Sequence, residues 1–253
     1  MAEKIGVLVI AHGSRSKQWV RLVDDAAKQV KTDHPLTVGF LELVKGRKIQ
    51  DGIDALEAQG VNRIFAIPLF ASSGSKHIEE IRFMLGLTGR LPAASDAAPL
   101  NVHAKVAMSP AMDDHPIIAE MLAKRIQALI RKPEEEAVLL VGHGNGLPGF
   151  KEKWEAGVNG LVKQLRRKFP LACITSASLS SDELRKRADA LSQKYRVLVL
   201  PLFLSEGYFT DQLIPSRLEG LKVEYLRSAY LPDPGVSRWM EAMVEDLKKK
   251  TKS

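Results

Sequence analysis

Two histidines and one glutamate stand where an α/β chain places its chemistry. His12 directly follows the apolar run 6–11, with Gly13, Ser14 and Arg15 behind it. Glu42 follows the apolar run 36–41. His77 comes after the run 64–68 and the polar loop Ala71-Ser72-Ser73-Gly74-Ser75-Lys76. Open α/β sheets bind ligands at the carboxyl ends of their strands, so imidazole, carboxylate and imidazole are expected to face one edge. That set suits a borderline divalent ion such as Fe2+, Co2+, Ni2+ or Zn2+. It suits acid–base work near neutral pH equally well. Each group also has a plainer role. A histidine after a strand often caps a helix or bonds a carbonyl, His77 reads as loop surface, and Glu42 reads as the first turn of a following helix, where the dipole favours it. The coincidence of all three at strand ends favours a site. Ser72, Ser73, Gly74 and Ser75 could hold an anion through backbone N–H groups at a helix start, or form an ordinary capped turn.

The elements that must position these residues recur. The segment Ile5-Gly-Val-Leu-Val-Ile-Ala-His12-Gly13 matches Ala137-Val-Leu-Leu-Val-Gly-His143-Gly144, and Arg63-Ile-Phe-Ala-Ile-Pro68-Leu-Phe matches Arg196-Val-Leu-Val-Leu-Pro201-Leu-Phe. His12 to His143 is an offset of 131 and Pro68 to Pro201 one of 133, so the register barely drifts. Order, spacing and local sequence together indicate an internal duplication. The short apolar runs 6–11, 64–68, 138–142 and 197–201 suit strands buried on both faces of parallel sheets. Helical periodicity covers 19–31, 48–58, 78–85, 150–168 and 182–193. Each half closes with a strand (102–107; 223–226), a Pro/Asp turn and a helix (117–130; 236–250). The expected fold is α/β, with two homologous doubly wound domains, 1–133 and 134–253, parting near 131–136. The Ala/Pro/Ser-rich stretch 91–99 reads as a mobile insertion. The final helix of one half could pack on the other half.

Composition narrows the partner. The chain has 253 residues, 45% hydrophobic and 26% charged, and one cysteine, Cys173. That is a soluble globular balance. One cysteine permits neither an internal disulfide nor a CxxC metal motif. No run reaches the roughly 18 apolar residues of a membrane span, and the run 5–10 is too short for a signal peptide, so a cytoplasmic protein is expected. The formal net charge of +7 is spread over both halves. It favours an anionic partner. No basic helix with interleaved aromatics points to nucleic acid. A polycarboxylate small molecule fits the charge as well.

The residues Ala11-His12-Gly13-Ser14-Arg15, Phe40-Leu41-Glu42, and Pro68-Leu69-Phe70 leading to His77 resemble the class II chelatases that metallate sirohydrochlorin. The likeness is to the CbiX/SirB group in its long form of two fused halves. It implies insertion of a divalent metal, Fe2+ or Co2+, into a tetrapyrrole with loss of two protons. The metal is then a substrate and no organic cofactor is needed. His12, Glu42 and His77 take the roles of metal ligands and proton acceptors. Sirohydrochlorin is a polycarboxylate, and Ser14, Arg15, Lys45, Arg47, Ser73, Gly74 and Lys76 are the candidates to hold it, with His143. A monomer or a homodimer would serve. In the second half His143 is kept, Thr210 aligns with His77, and Ser178 or a neighbour aligns with Glu42. The chemistry is therefore expected in the first half, with the second as a cleft wall. The alternative is a metal or tetrapyrrole carrier that binds in a cleft between the halves without turnover. No GxSxG elbow suggests a hydrolase.

Overall fold

The computed structural model describes residues 3–92 and 95–252. Among these, β1 (Ile5–Ala11), β2 (Leu36–Phe40), β3 (Arg63–Pro68) and β4 (Lys105–Met108) form a parallel sheet in the order β2-β1-β3-β4. A second parallel sheet joins β5 (Glu136–Gly142), β6 (Cys173–Ser178), β7 (Arg196–Pro201) and β8 (Val223–Tyr225) in the order β6-β5-β7-β8. The two orders are the same, as a duplication requires. The central strands are buried on both faces: every residue of β5, and all of β1 after Ile5, is out of solvent. Continuous apolar sequence is what such positions demand.

Helices α1 (Lys17–Lys28), α2 (Ile49–Glu57), α3 (Lys76–Met84) and α4 (Pro116–Gln127) follow the first four strands. Helices α5 (Phe150–Lys168), α6 (Glu183–Ser192), α7 (Ile214–Leu218) and α8 (Gly235–Lys252) follow the second four. In the first sheet's core, Leu8 and Ile10 pack with Ile49, Ile53 and Leu56 of α2 and with Ile81 of α3. In the second, Leu139 and Val141 pack with Leu184 and Ala188 of α6 and with Ile214.

The compact units do not coincide with the sequence halves. One unit comprises residues 1–70, 75–111 and 236–253, and the other 71–74 and 112–235. The last helix of each half is exchanged. Helix α8 completes the first unit: Trp239 is fully buried, Ser237 Oγ donates to the Ala26 carbonyl, and the Lys31 amide donates to Glu241. Helix α4 completes the second: its Arg125 guanidinium donates to the carbonyls of Ser228 and Ala229. The expected division at 1–133 and 134–253 thus describes the repeat, and the packing redraws it. An amphipathic pattern states that a face is covered, not what covers it.

Three local expectations also change. The expected strand 102–107 begins only at Lys105, because the amides of His103 and Ala104 are held by Glu57 of α2. No apolar run announces β6, whose Ser and Thr suit an edge strand. Of the stretch 91–99, residues 93 and 94 lie outside the described residues, while Ser95 is tied to Glu80 at 2.7 Å.

The acids near the expected domain boundary have distinct fates. Glu134 and Glu135 lie in an exposed turn, but Glu136 is 1% exposed. Burial alone would push its carboxyl up. Donation from the Arg131 amide and from the Arg196 guanidinium outweighs this and holds it below the ordinary carboxylate range. A depressed folded pKa stabilises above the unfolded value, and the benefit disappears as pH falls through the folded one. Glu136→Gln is therefore expected to destabilise by about 1–2 kcal/mol at neutral pH, because the bonds from Arg131 and Arg196 lose their charge while Arg196 keeps Glu224. Urea denaturation should show the gap closing below about pH 4. A gap that persists in acid would refute the ionic origin.

Candidate functional site

The sequence Ala11-His12-Gly13 carries β1 out of the sheet into a tight turn. Gly13 sits at φ 100°, and a Cβ there would lie 1.9 Å from the Glu42 carbonyl oxygen. Only glycine lets the two strand ends approach so closely. The ladder continues past the strands: the Leu41 amide donates to Ala11 and the Glu42 amide to His12, at 2.9 and 3.0 Å. Glu42 is thus fixed opposite His12 in a loop, ahead of α2 and not inside it. Leu43, next to it, holds φ 65°, a left-handed conformation that a leucine adopts only at an energetic cost.

These constraints bring the groups together. His12 Nε2 is 3.3 Å from Glu42 Oε1. The His12 and His77 rings meet edge to face at 4.8 Å. His12 Nδ1 is 3.1 Å from the Gly13 carbonyl, which can only accept, so Nδ1 is assigned the proton; the Nε2 lone pair and the Glu42 carboxylate then face one another as two acceptors that an ion or a shared proton would bridge. His77 Nδ1 is 2.7 Å from Glu80 Oε2, which places its lone pair on Nε2 as well. Two imidazoles thus present basic nitrogens beside a carboxylate that is about half exposed. Among the described residues no three His, Cys, Asp or Glu side chains form a ready-made metal cage.

Glu80 carries no strand-end signal, and within a helix it reads as a surface acid. It is instead buried at 8% exposure. Burial favours its neutral form, but donors from Ser95, His77 and Lys76 prevail and hold the carboxyl below its ordinary range. A carboxylate behind a ligating imidazole fixes its tautomer and raises its basicity. The one available signal was the spacing of three between His77 and Glu80 on a helix.

The proposed substrate-binding residues divide. Arg15 and Lys45 are exposed in the loops after β1 and β2. Ser14 accepts from the Ser16 amide, and Ser16 caps α1. Lys76 lies 3.2 Å from Glu80. Arg47 is committed elsewhere: it makes a two-pronged bond to Asp24 at 2.7 and 2.9 Å and lies over the Phe40 ring. Its bond to Asp24 also raises its pKa. The Ser73 amide and hydroxyl both donate to Asp113, and the Gly74 amide donates to Ser72. The amides expected to cradle an anion at Ser73 and Gly74 therefore hold their own loop. A Cβ on Gly74 would meet Trp154 of α5 at 2.6 Å, so this glycine serves packing.

The second unit repeats the scaffold with different side chains. His143 Nδ1 is 3.0 Å from the Gly144 carbonyl. The Leu179 and Ser180 amides donate to Gly142 and His143, as Leu41 and Glu42 do to Ala11 and His12. Of Ser178 and its neighbours, Ser180 is therefore the counterpart of Glu42. His143 meets Phe209 edge to face at 4.9 Å, and Phe209 stacks on Phe203. Phe209, not Thr210, occupies the place of His77. The loop is one residue shorter there, and a π-helical turn, Phe209–Leu213, follows it. That one-residue slip misleads linear alignment.

Comparison with known proteins agrees with this duplication. The CbiX family model matches residues 6–129 and again 137–251. A sirohydrochlorin cobaltochelatase of Methanothermobacter thermautotrophicus is 36% identical over 87 residues, 33% of this chain and 59% of that protein's length. The sirohydrochlorin cobaltochelatase of Methanococcoides burtonii is 27% identical over 49% of this chain and 96% of its own. Among solved structures, SirB from Bacillus subtilis with Fe3+ has a TM-score of 0.72 at 19% identity, covering 96% of this chain and 95% of its own. The structure of CbiX, the terminal enzyme for biosynthesis of siroheme in denitrifying bacteria, has a TM-score of 0.67 at 17% identity, covering 95% and 98%. At such identities these two likenesses speak to the fold. With a match in each half and a shared architecture over nearly the whole length, the chain belongs to the CbiX family.

Proposed function

We propose that this protein is a sirohydrochlorin chelatase, inserting Fe2+ or Co2+ into the macrocycle at His12, Glu42 and His77. One observation carries the reading: two imidazoles with their Nδ1 protons tied down stand beside an exposed carboxylate at the strand ends. Nε2 of His12 and of His77 can each offer a lone pair to the incoming ion or accept a pyrrole proton. Glu42 can do either as well. The set is open, which suits an ion that must be passed on. Arg15 and Lys45 are the nearest exposed cations in sequence to these strand ends and are assigned to substrate carboxylates. The relatives named as sirohydrochlorin cobaltochelatases support the substrate.

The test is anaerobic incubation of the protein with sirohydrochlorin and each metal, followed by absorption. Acceleration over spontaneous insertion is expected. Tight binding without acceleration would leave a carrier instead.

Glu80→Ala is expected to lower the rate about 10–100-fold, the usual effect of removing the partner behind a ligating histidine. Glu80→Gln, whose amide oxygen can still accept from Nδ1, should recover part of it. Equal, unrecovered loss in both variants would remove the tautomer-fixing role.

A further inference from the structure

We propose that the second unit carries a binding site for a small polyanion, one with two or more phosphate or carboxylate groups, along the outer edge of β6. A cavity of about 550 Å3 lies there, lined by Asn159, Lys163, Arg166 and Arg167 of α5, by Ile174–Ser176 of β6 and by Arg187 of α6. It lies along the middle of the strand, away from the strand ends that carry His143, and its volume is that of a small-molecule site.

Four cations and no acid line it. Among the described residues no acidic side chain pairs with Lys163, Arg166 or Arg167, and only Arg187 has such a neighbour, Glu183 at 3.3 Å. Two of the guanidiniums are anchored on the strand: Arg166 donates to the Ile174 carbonyl at 2.8 Å and Arg187 to the Ser176 carbonyl at 2.9 Å. These bonds change what the edge offers. A bare strand edge presents alternating N–H and C=O groups and invites another strand. Here both outward carbonyls are occupied by arginines. The amides of the same two residues point the same way as their carbonyls. The edge is thereby converted into a row of donors beside four positive charges, which rejects a pairing strand and favours an oxyanion. The buried side chains of Ile174 and Val162 form an apolar floor. Each guanidinium has further N–H groups beyond the one engaged, in a fixed fork that matches phosphate or carboxylate.

This site is independent of the chelatase reading. The full-length protein is titrated calorimetrically with pyrophosphate and, in a parallel arm, with citrate, at low and at high salt. Saturable binding that weakens with salt is expected, and the tighter arm identifies the anion class. The exposed pair Lys163→Ala/Arg167→Ala should weaken binding roughly 10–100-fold, whereas Lys28→Ala/Lys31→Ala, exposed in the first unit, should leave it unchanged. No saturable binding, equal binding by the Lys163/Arg167 variant, or loss only in the Lys28/Lys31 variant would overturn the site. So would tighter binding of a short single-stranded oligonucleotide than of either small anion.

Discussion

His12→Ala is expected to slow metal insertion by about 10²–10⁴-fold, the usual contribution of a positioned proton acceptor. His12 is the hub of the three groups. Its Nε2 faces Glu42 at 3.3 Å and its ring meets the edge of His77 at 4.8 Å. Removing it deletes one lone pair and separates the other two groups. His77→Ala should fall in the same range, because its Nε2 is the second basic nitrogen. His143→Ala should change the rate little. Its ring has the same backbone anchor, but Phe209 and Ser180 stand where His77 and Glu42 stand in the first unit. A lone imidazole cannot assemble the set. Initial rates under anaerobic conditions, with thermal melting as a check of fold, decide the matter. Equal losses in His12→Ala and His143→Ala would defeat the placement of the chemistry in the first unit.

A single methyl group at position 13 is expected to have nearly as large an effect by a different route. The Cβ of Gly13→Ala would fall 1.9 Å from the Glu42 carbonyl oxygen, at a backbone φ of 100°. That carbonyl cannot easily yield. It accepts from the Val44 amide at 2.9 Å, and the Glu42 amide is bonded to His12. Overpacking and positive-φ strain together suggest a loss of about 2–4 kcal/mol. In a chain of this size that lowers Tm by roughly 5–15 °C. Activity should fall too, since whatever relieves the clash moves Glu42 away from His12. Gly144→Ala is the built-in comparison. It is strained in the same way, at φ 75° with the Ser178 Cβ 2.7 Å from the added methyl, so that variant should also melt lower, but it should keep its activity because it leaves His12 and Glu42 in place. Wild-type melting and wild-type rate in Gly13→Ala would mean the strand ends need not be so close.

Some of this was legible without coordinates. Continuous apolar runs can be satisfied only where both faces of a strand are covered, so β1, β3, β5 and β7 were readable from the chain itself. The repeat was readable for the same reason, and so was the convergence of His12, Glu42 and His77, because strand ends of a parallel sheet share one edge. Polar edge strands such as β6 gave no such signal. The exchange of α4 and α8 was not encoded locally, because a hydrophobic stripe specifies burial without a partner. Glu80 looked like a helix-surface acid until folding placed Ser95, His77 and Lys76 around it. Arg47, Ser73 and Gly74 carried the right chemistry for an anion, but Asp24 and Asp113 engaged the first two across the fold, and Ser72 in the same loop engaged the third. Sequence determined which groups exist and which sheet edge they reach. Only the tertiary structure decided which of the cations and amides stay available, because Arg47 and Ser73 are engaged by Asp24 and Asp113, 23 and 40 residues away in the chain.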